Sequence, residues 1–350
     1  MNDKEQILAW ARSEIIALKP YASARSEFKL GDREMILLDA NENPFNNGMN
    51  RYPDPMQLKL KKRLAEAKHL AVEQIFLGNG SDDVLNQLMI AFCTPGKDKA
   101  VLLPPTFGMY QVCASINGIE TLEVPLTADF RLDIAGINAV QSSATKIIFI
   151  PSPNNPTGNC FALEDIKSII EGFDGLVVVD EAYVEFAIDK SVISWIDEYP
   201  NLVVVQTFSK AQGLAGLRLG MAFAHPEIIG LMNKVKAPYN INVLTQNEVM
   251  RRLEEQGLIQ QQVHQIKQEK EQLLLEFKSI AFIKKVFPSD ANFFLVKMDD
   301  SKRRYNELID RGIVVRDSSK NLNCANTLRI TVGTPDENNA LVIALRSMDK

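Results

Sequence analysis

Short, nearly continuous apolar runs recur through the middle of the chain, at residues 100–103, 121–124, 146–150, 176–180, 202–206 and 219–222. A strand with one wet face alternates apolar and polar residues. A run that is apolar throughout predicts a strand covered on both faces. Patterns with helical spacing lie between these runs, for example at 82–92, 107–117 and 163–172. Strands alternating with helices predict an α/β domain built on a mostly parallel sheet.

After Pro226 the pattern changes. Residues 243–280 read as one long, charged, amphipathic helix. Strand-like stretches follow at 292–296 and 327–332, with helical patterns at 301–311 and 335–348. These predict a smaller α+β domain. The N-terminal residues carry a helical pattern and are expected to join it. The expected division is a large domain over residues 44–279 and a small one made from residues 1–43 and 280–350. No internal repeat or low-complexity tract interrupts this plan.

Composition fits the division. The chain has 350 residues, and about 150 residues per domain gives roughly two domains. With 46% hydrophobic and 24% charged residues, collagen-like, coiled-coil and wholly disordered chains are excluded. A net charge of −5 exerts no general pull on nucleic acid or an anionic membrane, although a local basic pocket remains allowed. Cys93, Cys113, Cys160 and Cys324 include no C-x-x-C pair, so neither a zinc site nor a redox dithiol is expected. His69, His225 and His264 have no metal-like spacing, and no bound metal is expected. The mixed-charge start MNDKEQILAW does not read as a signal peptide, and no run approaches the roughly 18 apolar residues of a membrane span. A soluble, cytoplasmic protein is expected.

In open α/β sheets ligands bind at the carboxyl ends of the strands, so the residues after each apolar run matter most. Gly78-Asn79-Gly80-Ser81 precedes a helix. It reads either as a capped surface turn or as an anion cradle at a helix N-terminus. Pro151-Ser152-Pro153-Asn154-Asn155-Pro156-Thr157-Gly158 is a rigid turn that can also present an asparagine donor. Asp180 ends an apolar run with Tyr183 three residues on. Its carboxylate could cap a helix, or bind a cation, a metal or a protonated ring nitrogen. Lys210 follows the next run, with Ser209 before it and Arg218 beyond. A partly desolvated lysine suits Schiff-base chemistry, and an arginine among glycines can grip an anion bidentately. Taken together, the amine, the carboxylate, the donors and the anion cradle suit pyridoxal phosphate.

The motifs LLDANENPF, RYPDP, GNGSDD, PPTFGMY, SPNNPTG, VVDEAYVEF, TFSKAQGLAGLRLG, VVRD and LRITVG occur in that order between Leu37 and Gly333. In this the chain resembles the fold type I pyridoxal-phosphate aminotransferases and, more narrowly, their histidinol-phosphate branch. Asn46 after NENPF and Asp83 in GNGSDD depart from the family's commoner Gly and Glu. The resemblance implies that Lys210 carries the Schiff base and Asp180 faces the pyridine nitrogen of pyridoxal 5′-phosphate. It implies that Asn155 and Tyr183 hold the 3′ oxygen and that Tyr110 stacks on the ring. Gly80, Ser81, Ser209 and Arg218 would hold the phosphate, joined by Tyr52 from the partner subunit of a homodimer. Arg316 and Arg329, helped by Tyr21 and Asn41, would bind the anionic end of a small-molecule substrate.

Overall fold

The computed structural model describes residues 2–20 and 36–348. The chain opens with α1 (Asp3–Trp10) and α2 (Ser13–Ala17), and α3 (Leu58–Lys68) follows an extended segment. Then come β1 (Ile75–Gly78), α4 (Ser81–Phe92), β2 (Lys99–Leu102), α5 (Met109–Ile116), β3 (Glu120–Glu123) and α6 (Ile134–Ala139). The centre continues with β4 (Thr145–Pro151), α7 (Leu163–Gly172), β5 (Leu176–Asp180), β6 (Leu202–Thr207), β7 (Gly220–Ala224) and α8 (Pro226–Val235). Last are α9 (Val243–Leu253), α10 (Gln256–Phe277), β8 (Ile283–Val286), β9 (Phe293–Met298), α11 (Ser301–Ile309), β10 (Arg316–Asp317), β11 (Thr327–Thr331) and α12 (Pro335–Ser347).

The large sheet has seven strands in the order β1-β7-β6-β5-β4-β2-β3. The stretch from β3 to β6 is parallel, whereas β7 runs antiparallel to both neighbours. The apolar runs divide residue by residue between two cores. Val177, Val179, Ile148 and Ile150 face one layer of helices. Leu176, Val178, Ile147 and Phe149 face the other. Side chains alternate across a strand, so a run apolar at every position supplies both layers. Each such buried side chain contributes about 1.5–3 kcal/mol. The helices answer with matching stripes; on α7, Ile166, Ile169 and Ile170 share the buried face.

The small sheet is antiparallel, in the order β10-β11-β9-β8, and packs against α12 and the C-terminal half of α10. Pro335 at the start of α12 and a capping box between Thr334 and Glu337 fix where that helix begins.

Two expectations are corrected. The N-terminal helices do not join the small sheet. Ile7, Trp10 and Ile15 pack into a core of the large sheet, Trp10 donates to Asp174 (2.7 Å), and Lys234 Nζ on α8 bonds the carbonyl of Ile16 (2.7 Å). The helix expected over 243–280 is two helices, broken at Glu254 and Glu255. Arg252, last but one in α9, turns inward there and donates to the Gln212 carbonyl (2.9 Å) and to Gln262 (2.9 Å).

Candidate active site

The strands β4, β5 and β6 end side by side, and their carboxyl ends open into a cavity of about 640 Å³. Asp180 closes β5 at its floor and is 5% exposed. The Tyr110 hydroxyl donates to its Oδ2 (2.8 Å) and the Ala182 N–H to its Oδ1 (3.1 Å). Burial pushes the carboxyl up to about 6, against the pull of these two donors. Burial also holds the Tyr110 phenol well above its usual range, so it keeps its proton and donates.

Lys210 stands in the loop after β6, its ammonium 5.3 Å from the centre of the Tyr183 ring. Although the side chain is exposed, partial desolvation against the cavity wall, and then the nearby Arg329 guanidinium, push it below the usual lysine range. The loop is pinned from both sides. Thr207 Oγ1 bonds Ser209 Oγ (3.0 Å), and the Gly213 N–H returns to the Lys210 carbonyl (3.0 Å).

The anion cradle is the N-terminus of α4, and two glycines make it. A Cβ on Gly80, whose φ is +88°, would lie 2.5 Å from Arg218 Nη2. Gly220 on β7 faces Gly78 across the sheet, and a Cβ there would lie 2.2 Å from the Ser81 nitrogen. Glycine at both positions lets Arg218 and β7 close on Gly80 and Ser81. Arg218 also reaches Asp82 (3.4 Å).

The opposite wall comes from the small sheet. Arg316 on β10 faces Arg329 on β11 across the ladder, and both line the cavity. Arg329 Nη1 bonds Asn155 Oδ1, and its guanidinium lies 5.4 Å from the centre of the Phe293 ring. Burial and the Arg316 charge both lower its affinity for its proton. Tyr183 packs edge-on against the same Phe293 at 5.2 Å.

The structure thus gathers Ser81, Tyr110, Asn155, Asp180, Tyr183, Ser209, Lys210, Arg218, Arg316 and Arg329 around one cavity, with Gly80 in contact with Arg218. Two expected residues lie off this cavity's wall, one of them, Tyr52, expected there only from a partner subunit. Asn41 is exposed and off the cavity wall. Tyr52 is also off the wall, half exposed and stacked on Tyr239 at 4.4 Å. Tyr21 lies outside the described residues.

One expected role is corrected. Tyr110 is fully buried, its ring stacked at 4.9 Å on Phe149, so no face of it is open to a cofactor ring. Its hydroxyl is instead bonded to Asp180. Phe107, half-buried on the cavity wall and edge-on to Tyr110 at 5.7 Å, offers the open aromatic face. Sequence reasoning also missed Thr106, Asp82, Ser318 and Asn321 on the wall. The first lies in the same PPTFGMY motif as Phe107, and Asp82 directly follows the cradle; Ser318 and Asn321 carry no signal.

The donor set fits pyridoxal 5′-phosphate. A carboxylate sits at the floor, a primary amine projects into the cavity, and a helix terminus with an arginine forms a cup. Thr106 buries a hydroxyl with no partner among the described residues. The class I and II aminotransferase model matches residues 33–345. The chain belongs to this family. Among its relatives, the histidinol-phosphate aminotransferase of Flavobacterium johnsoniae is 49% identical over 97% of both chains. Among solved structures of the fold, the histidinol-phosphate aminotransferase of Clostridium acetobutylicum superposes with a TM-score of 0.79 at 23% identity, over 86% of this chain and 91% of that one. That of Sinorhizobium meliloti, in complex with pyridoxal-5′-phosphate, gives 0.76 at 23% identity, over 85% and 83%. This chain shares the fold of those structures, here a mostly parallel sheet between two layers of helices with a small antiparallel sheet beside it.

Proposed function

We propose that this protein is a pyridoxal-phosphate-dependent transaminase that interconverts histidinol phosphate plus 2-oxoglutarate with imidazole-acetol phosphate plus glutamate. The observation that carries this reading is the pair Arg316 and Arg329 facing Lys210 and Asp180 across one cavity. Adjacent guanidinium groups can accept either the carboxylate of glutamate or the phosphate of histidinol phosphate, because both are oxyanions that receive forked donors. One site can then serve both half-reactions.

The cofactor supplies an aldehyde that exchanges amino groups and an electron-poor ring that accepts electrons from the substrate's α-carbon. Asp180 would face the ring nitrogen and would keep its proton there. Tyr110 keeps Asp180 aimed at it. Lys210 would hold the cofactor's aldehyde carbon and, when free, would move the proton at the substrate's α-carbon, work suited to an amine of lowered proton affinity. Asn155 and Tyr183 orient the 3′ oxygen, and Gly80, Ser81, Ser209 and Arg218 hold the phosphate. Phe107 supports the ring face.

The same reading makes the protein a cytoplasmic homodimer in which Tyr52 completes the partner's phosphate cup. Tyr52 lies outside its own cavity, and Ile36, Leu38 and Phe45 on the preceding segment are 88%, 87% and 79% exposed. Apolar side chains left this open on the segment before Tyr52 suit burial against a second copy of the chain. Among the described residues no helix is long and apolar enough to cross a membrane.

The test compares half-reaction rates with histidinol phosphate, phenylalanine, tyrosine and threonine phosphate. Histidinol phosphate is expected to be fastest, and a wide margin in favour of phenylalanine or threonine phosphate would sink the assignment. Arg329→Gln should weaken glutamate and histidinol phosphate together. A loss confined to one of them would refute the shared anion site. Lys210→Ala should abolish turnover.

A further inference from the structure

Away from the cavity lies a buried cation that the reaction does not use. Lys236 follows α8 and is 8% exposed. Its ammonium is surrounded by neutral oxygens: the carbonyls of Pro55 (2.8 Å), Pro238 (3.0 Å) and Ala237 (3.3 Å), and Asn240 Oδ1 (3.2 Å). Burying an ammonium is costly unless its protons find acceptors, and here the acceptors outnumber the protons. The stretches it joins are rich in proline: Pro53 and Pro55 in one, Pro238 in the other. Proline has no N–H, so such segments cannot pair their carbonyls with one another as strands do. One lysine supplies the donors that two proline-containing stretches lack.

The network has two ends. At one end, Gln57 Nε2 also bonds the Pro55 carbonyl (2.7 Å) and Asn240 Oδ1 (3.2 Å), and Tyr239, within the second stretch, stacks on Tyr52 with the rings 15° from parallel. At the other end, Asn240 Nδ2 donates to the Leu77 carbonyl (2.7 Å) on β1, a strand held in the large sheet by β7. The chain from Tyr52 to Pro55 is thereby anchored through Lys236 and Asn240 to a rigid strand.

We propose that Lys236 is a positioning residue that holds the Tyr52 arm in the pose in which it reaches the partner subunit's cofactor phosphate. This rests on the reading of Tyr52 given above. Its consequence is that cofactor affinity at one site depends on a lysine of the other subunit that touches no cofactor.

Mixed dimers of the full-length protein test it. One chain carries Lys210→Ala, so only the other chain's site turns over. Adding Lys236→Met to the Lys210→Ala chain should weaken pyridoxal 5′-phosphate at the working site about tenfold, as for one hydrogen bond to a charged group. Moving Lys236→Met to the chain with intact Lys210 should leave that affinity near the wild-type value. The reverse pattern, or no loss in either arrangement, overturns the proposal. In homodimers, Tyr52→Phe should weaken cofactor binding about tenfold, and the Tyr52→Phe/Lys236→Met double variant should bind no more weakly than Tyr52→Phe alone. Effects that multiply overturn the proposal while leaving the Tyr52 reading intact. An unaffected Tyr52→Phe variant sinks that reading and the proposal with it. Should Lys236→Met fail to fold or dimerise, Tyr239→Leu removes the stacked support while keeping the lysine, and it must give the same crossed pattern.

Discussion

Replacing Asp180 by asparagine removes a carboxyl that burial has pushed from 3.8 up to about 6. The folded-state value lies above the unfolded one, so the folded chain binds this proton more tightly. The group therefore supports folding fully below about pH 3.8, and that support is lost as the pH rises through about 6. At pH 8 the cofactor-free protein carries a buried carboxylate at a cost of about 3 kcal/mol, from about two pH units at about 1.4 kcal/mol each. Asp180→Asn can still accept from Tyr110 but gives up the Ala182 N–H bond, at about 1 kcal/mol. The cofactor-free variant should be more stable than wild type by about 2 kcal/mol at pH 8, and that advantage should shrink by about 2 kcal/mol at pH 4.5. Urea unfolding of both proteins at the two pH values measures this. A variant less stable at pH 8, or an advantage independent of pH, would refute the reasoning. With pyridoxal 5′-phosphate bound the order should reverse, because the ring cation then compensates the carboxylate of the wild type.

Other consequences are equally direct. Tyr110→Phe removes a donor to a buried carboxylate, an interaction of about 1.5–3 kcal/mol. It should raise the Asp180 pKa further and weaken cofactor binding roughly tenfold to a hundredfold by equilibrium titration; unchanged binding would show that Asp180 needs no support. Phe107→Leu should cost a few-fold in cofactor affinity, as expected for losing about 0.5–1.5 kcal/mol of aromatic stacking. Phe107→Tyr should be close to wild type, and equal losses in both would point to packing rather than stacking. Gly80→Ala forces a Cβ to within 2.5 Å of Arg218 Nη2 at a φ of +88°. It should cost about 1–3 kcal/mol and reduce binding of inorganic phosphate to the cofactor-free protein; a variant that binds phosphate normally would place the cup elsewhere.

The central sheet was legible because β4, β5 and β6 are apolar at almost every position, a pattern that only two-sided burial explains. β1 carries no strand signal in the sequence, because Ile75–Gly78 is too short for a period and runs into a glycine turn. The direction of β7 was also hidden, since a long loop can return a strand either way. The N-terminal helices show why amphipathicity falls short: an apolar stripe demands a partner without saying which sheet supplies it. At the site, strand-end position found Asp180 and Lys210. Phe107 and Tyr110 are both aromatic in one motif, and only the start of α5 at Met109 shows which is carried beneath the cavity and which remains at its wall. Arg316 and Arg329 were expected together, but their facing register comes from a two-residue strand that no sequence pattern reveals.

The close fit of Gly220 against Ser81 also sets a timetable for synthesis. β1 emerges from the ribosome well before its sheet neighbour β7, and the cations at Arg316 and Arg329 follow later still. A growing chain can pair β2, β3, β4 and β5 while it is still being made. It cannot close the anion cup until β7 has emerged, nor face that cup with the arginine pair until β10 and β11 have followed. A chain that stops before β7 therefore displays the apolar sheet without a closed cup for a phosphorylated ligand.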